Sequence, residues 1–142
     1  MTVVVHAARE DKFASVAKQV GRWMDQVLGP GFRKYSPGES WAPAINLCED
    51  ETHYCVVVEL AGVTAEEIDL QTEGRKLILS GFREAPGLPE SGGNVRLHHM
   101  EIDHGVFSRS LELPTDADME DADRIEAVYR LGFLWIHIPK RP

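Results

Sequence analysis

Between Trp41 and Pro139 the apolar side chains recur at every second position in short runs, and that period confines the chain to extended strands buried on one face. Tyr54, Val56, Val58 and Leu60 form the clearest run, with Cys55, Val57 and Glu59 on the opposite face. Ile68, Leu70 and Thr72 make a second, and Leu77 and Leu79 lead a third, which Gly81 is expected to close. Phe107, Arg109, Leu111 and Leu113 alternate up to Pro114. Ile125, Ala127 and Tyr129 precede a turn at Leu131-Gly132, and Leu134, Ile136 and Ile138 form the last strand before Pro139. Short alternating runs separated by Gly, Pro and Asp clusters predict an all-β, antiparallel sandwich.

Upstream the period is different. Phe13, Val16, Ala17, Val20, Trp23, Met24, Val27 and Leu28 recur at three- and four-residue spacing, which places them on one face of a helix. Asp11 suits the N-cap, and Gly29-Pro30 is a stop signal. An isolated helix of this length has little stability, so its apolar face needs a cover. The expected division is an arm over 1–40 with an amphipathic helix, a sandwich over 41–140, and a residual tail at 141–142. Phe13, Val20, Trp23, Met24 and Val27 either pack against a second copy of the chain or form a candidate surface for capturing exposed apolar patches on other proteins, because Met and aromatic side chains adapt to varied shapes.

The formal charge of -8 disfavours nucleic-acid and anionic-membrane partners, which require a basic face. No apolar run approaches a membrane span, and Val3-Val4-Val5 is too short for a signal peptide, so a cytoplasmic protein is expected. Cys48 and Cys55 form no CxxC pair and read as free thiols. No Ser-His-Asp arrangement, nucleotide loop or nucleophile elbow is present, so no catalytic residue and no cofactor is assigned. His98, His99 and His104 with Glu101 and Asp103 could be drawn as a metal site. Neighbours at 98 and 99 would point to opposite faces of a strand, however, and no metal is expected.

Two loops stand out. Residues 84–94 are long for a hairpin connection and rich in turn formers, and loops of that length are usually functional or disordered. Residues 115–123 carry Asp116, Asp118, Glu120, Asp121 and Asp123 without the calcium-loop pattern, and read as a solvated acidic loop. Arg109 shares a strand face with Phe107 and Leu111, so its charge needs a carboxylate or carbonyl partner, in its own chain or across a subunit boundary, unless local twist lets it reach solvent.

The segment Glu101-Ile-Asp-His-Gly105-Val-Phe107-Ser-Arg109-Ser-Leu111-Glu-Leu113-Pro114 is similar to the pattern E-x-x-x-G-x-F-x-R-x-F-x-L-P of small heat-shock proteins. Ala127-Val-Tyr-Arg-Leu-Gly132-Phe-Leu134-Trp-Ile136-His-Ile138-Pro139-Lys140 resembles the same family's A-x-x-x-N-G-x-L-x-I-x-x-P-K ending, and Leu60-Ala61-Gly62-Val63 its L-P-G-V. Ala61, Leu131 and Leu111 stand where the family favours proline, asparagine and an aromatic, and Asn46 where it favours Asp. The resemblance implies an immunoglobulin-like β-sandwich of the α-crystallin type and an ATP-independent holdase that binds unfolding client proteins.

It also implies a homodimer built by exchange of a strand at 95–100, with Leu97, His99, Glu101 and Arg109 at the interface. A groove between the strands of Ile68-Leu70 and Ile125-Ala127 is implied as the seat of an I-x-I peptide. Such a tail normally follows the P-K, whereas Ile136-His137-Ile138 precedes it, so dimers or small oligomers are expected. Val3 and Val5 project to one side when extended and can mimic the I-x-I spacing in that groove. The competing expectations are a CS-domain-like adaptor docking to one defined partner and, more remotely, a histidine-metal enzyme.

Overall fold

The computed structural model describes residues 1–7, 40–87 and 96–142. The expected helix with Phe13, Val20, Trp23, Met24 and Val27 lies outside the described residues, as does most of the 84–94 loop. The described residues form strands β1 (Thr2–Val3), β2 (Val5–Ala7), β3 (Ser40–Trp41), β4 (Ile45–Glu49) and β5 (His53–Glu59). They continue with β6 (Ile68–Glu73), β7 (Lys76–Arg83), β8 (Gly105–Glu112), β9 (Glu126–Arg130) and β10 (Phe133–Pro139). Two five-stranded sheets result, in the orders β1-β6-β7-β8-β3 and β2-β9-β10-β5-β4.

The alternation read from the sequence becomes the burial pattern of the strands. Tyr54, Val56 and Val58 of β5, Ile68, Leu70 and Thr72 of β6, and Leu134, Ile136 and Ile138 of β10 all point inward. Phe107 lies fully buried among them, with Leu60, Leu79 and Leu113 in the same cluster. The sandwich is not purely antiparallel: β2 runs parallel to β9, and β3 parallel to β8. Both exceptions are outer strands reached by long connections, so no hairpin dictates their direction.

Turn chemistry sets the register. The Asp50 carboxylate accepts the N–H groups of Thr52 (2.8 Å) and His53 (2.7 Å), closing the β4–β5 hairpin. Those donors, Thr52 first, hold its carboxyl below the ordinary aspartate value. Leu131 and Gly132 both take positive φ, 52° and 82°, in the two-residue turn between β9 and β10. That is the primed hairpin geometry that matches strand twist, and Asn-Gly adopts it with less strain than Leu-Gly.

Two expectations are corrected. Gly81 does not end its strand; β7 continues to Arg83, pairing across β8 throughout. A Cβ at Gly81 would overlap the Glu67 carbonyl oxygen and the Phe107 ring, so glycine serves close packing there instead of a turn. Nor is the acidic loop merely solvated. Asp116 accepts the Tyr54 hydroxyl (2.5 Å), Asp118 pairs with Arg124 (2.6 Å), and Met119 and Ala117 are buried beneath them.

Candidate functional site

The two sheets meet along two seams, and the seams differ. At one, β1 and β2 lie side by side in sequence but join different sheets. Thr2–Val3 pairs antiparallel with β6, and Val5–Ala7 pairs parallel with β9. One short segment therefore crosses from sheet to sheet. Alternation decides what it buries: Val3 is 3% exposed and Val4 64%. Val5 packs partly buried against the core. Val3 stands opposite Leu70, and Val5 opposite Ala127. Backbone bonds fix the pairing: Thr72 N–H donates to the Met1 carbonyl (2.7 Å), and the Met1 nitrogen donates to the Thr72 carbonyl (2.8 Å).

The four residues named for a groove, Ile68, Leu70, Ile125 and Ala127, are buried in one apolar cluster that also contains Val3. The parity left open by sequence reading is settled in the strand itself, where Ala127 points inward and Glu126 outward. The edges of β6 and β9 thus frame a trough, and the extended segment from Thr2 to Ala7 lies in it.

At the opposite seam the outer strands are β3 and β4. Arg109 enters here, half-buried, and donates from Nη1 to the Pro43 carbonyl (3.1 Å). It lines a small hollow between the sheets with Ile45, Leu111, Val58 and Leu79. Its required partner is thus a carbonyl of its own chain. Arg83, which sequence reading passed over, lies with its guanidinium 4.1 Å from the Trp41 ring centre. It donates from Nε (2.9 Å) and Nη2 (2.6 Å) to the Asp103 carbonyl. Burial lowers the Arg83 pKa, against the pull of Glu59 and Asp103. Trp41 in turn donates its indole N–H to the Gly105 carbonyl (3.2 Å) and packs on Phe107. The start of β8 is clamped by this trio, and no local pattern announces it, because the partners are far apart in sequence.

The segment before that clamp belongs to neither sheet. Residues 96–104 form no strand with the described residues of this chain, and Leu97, Ile102 and His99 are exposed. His99 pairs with Glu101, 3.0 Å away. His104, by contrast, is buried. Among the described residues no group of His, Cys, Asp and Glu side chains is placed to hold a metal, and the three histidines are not brought together. No helix among the described residues is long and apolar enough to cross a membrane.

The far end of the sandwich is pinned by Tyr54. Its hydroxyl donates to Asp116, and the Lys140 ammonium lies 5.0 Å from its ring centre while pairing with Glu49 at 2.6 Å. The hydrogen bond to Asp116, with desolvation, pushes the Tyr54 pKa up to about 12. The Lys140 pKa is raised by its bond to Glu49.

Comparison with known proteins accords with this geometry. A family model described as the Hsp20/alpha crystallin family matches residues 46–142. Small heat shock protein C4 of Rickettsia felis is 34% identical over 100 residues, covering 70% of this chain and 58% of that protein. Heat shock protein 16 of Schizosaccharomyces pombe is 35% identical over 112 residues, covering 78% and 74% respectively. The crystal structure of hspA from Xanthomonas axonopodis superposes with a TM-score of 0.60 at 33% identity, over 72% of this chain and 96% of that one. The match spans less than two thirds of the length of some relatives, the Rickettsia protein among them.

Proposed function

The chain belongs to the Hsp20/alpha crystallin family, and from that premise we propose that it is an ATP-independent holdase, which binds unfolding proteins and keeps them from aggregating. The observation that carries this reading is the trough between β6 and β9. It holds an extended Val-x-Val segment by main-chain pairing, with Val3 buried and Val5 partly buried. An unfolding protein exposes segments of that kind, and a sheet edge binds them with little regard to sequence. Its action is binding without turnover, and it needs no cofactor.

The partners are client proteins in the cytoplasm and a second copy of the chain. Support for the second copy comes from residues 96–104, which carry exposed Leu97 and Ile102 yet find no strand partner among the described residues. Exchange of the strand around 95–100 with a partner's sheet would satisfy them, with Leu97, His99, Glu101 and Arg109 at the contact. Phe13, Val20, Trp23, Met24 and Val27 are proposed as a further client surface on the arm.

An aggregation assay tests the function. Heat-treated unrelated enzymes should stay soluble in a near-equimolar amount of this protein without nucleotide. Undiminished aggregation at a several-fold molar excess, or protection that requires ATP, would overturn the assignment.

A further inference from the structure

Cys48 and Cys55 stand apart in sequence but directly opposite each other across the β4–β5 hairpin. The pairs on either side fix the kind of contact. Asp50 N–H donates to the His53 carbonyl (2.9 Å), and Glu59 N–H donates to the Ala44 carbonyl (3.1 Å). Hydrogen-bonded and non-hydrogen-bonded pairs alternate along an antiparallel ladder, so Cys48 and Cys55 form a hydrogen-bonded pair with Cα atoms about 5.5 Å apart. That separation falls within the range a disulfide spans, and directly opposed residues project to the same face of the sheet. The face is the outer one, because Tyr54 and Val56 on either side of Cys55 point into the core. Cys48 is exposed, Cys55 is half-exposed, and both are free thiols. His137 of β10 flanks Cys55 on its other side.

We propose that Cys48 and Cys55 are a redox site, a dithiol that closes reversibly to a cross-strand disulfide when the protein meets a hydroperoxide. The exposed Cys48 thiolate attacks the peroxide oxygen. The O–O bond breaks, an alcohol or water leaves, and Cys48 becomes a sulfenic acid. The Cys55 sulfur then attacks the Cys48 sulfur, losing its proton as water departs. In sum, two thiols and one hydroperoxide give one disulfide, one alcohol and one water, with two electrons passing to the peroxide. Burial, then the adjacent Cys48, raises the Cys55 pKa, which suits it to the resolving role and leaves first attack to Cys48. A disulfide at so exposed a position is of the labile kind that cellular thiols reduce again. Closure would tie β4, the outer strand at the seam of Arg109, to β5.

The test uses the full chain, reduced and then treated with hydrogen peroxide. The intact monomer should lose two hydrogens in mass, and both cysteines should become unreactive to maleimide until dithiothreitol restores them. Cleavage after Glu49 or Glu51 should yield two peptides joined through Cys48 and Cys55. The yield should not change on about tenfold dilution, because the reaction is intramolecular. In Cys48→Ser, Cys55 should stay reactive to maleimide under the same peroxide dose. The proposal is overturned if both thiols of the wild type remain reactive, if they gain oxygen without cross-linking, or if the bond joins two chains and fades on dilution.

Discussion

Val3 lies opposite Leu70, close enough in register that the first residues of the chain complete the apolar face of β6. The same segment reaches β9 through Val5. A Val3→Asp, Val5→Asp double variant places carboxylates against this apolar wall, where an unpaired charge is strongly unfavourable. The segment should leave both edges while the rest of the sandwich stays folded. Hydrogen exchange reads this at Thr72, whose N–H now donates to Met1. A free Val-x-Val peptide should bind the variant about tenfold more tightly than the wild type, whose trough is already filled. Unchanged protection at Thr72 would show that the pairing is not held by these valines.

Leu131 is the only described non-glycine residue with positive φ, and its side chain is 79% exposed. It bears backbone strain without gaining burial. Leu131→Asn should stabilise the protein by about 1 kcal/mol. For a chain of this size the melting midpoint should rise by roughly 2–4 °C in scanning calorimetry. A fall in the midpoint would mean that Leu131 has an apolar contact in the assembled protein.

Tyr54 couples stability to alkaline pH. Its folded pKa is raised from 10.0 to about 12, so the fold favours the protonated phenol. The stabilisation is fully present below pH 10 and disappears as pH rises towards 12. Urea unfolding across that window should show wild-type stability falling more steeply than that of Tyr54→Phe, which has no proton to lose. Parallel curves would place the alkaline loss elsewhere, for instance in the Lys140–Glu49 pair.

Arg83 holds Asp103 and Trp41 together through a planar fork and a stacked face. Lysine keeps the charge but loses both the second donor and the stacking, so Arg83→Lys should cost about 2 kcal/mol. The exposed segment before β8 should become more readily cleaved by protease. An Arg83→Lys variant as stable and as resistant as the wild type would reduce the clamp to a surface contact.

Strands were legible wherever one face is buried along a run, as with Tyr54, Val56 and Val58, because a two-residue period has one structural meaning. Gly81 misled for a physical reason. A glycine inside a strand and a glycine ending one look alike locally, and only the Phe107 ring, far along the chain, distinguishes them. Tyr54 and Asp116, or Arg83 and Asp103, meet through topology, which no local pattern encodes. The cysteines illustrate the point best. Their spacing excludes every short motif, yet a tight turn at Asp50–His53 folds one onto the other. The trough of Ile68, Leu70, Ile125 and Ala127 came from family resemblance, and the parity of Ala127 needed the folded strand.

The segment from Thr2 to Ala7 has a consequence for both sheets at once. By joining β6 on one sheet and β9 on the other, it makes one stretch of chain the outer strand of both sheets on that side. The other two outer strands, β3 and β4, stand on the far side. Release of those few residues would uncover the edges of β6 and β9 together, so two binding edges on different sheets open or close as one.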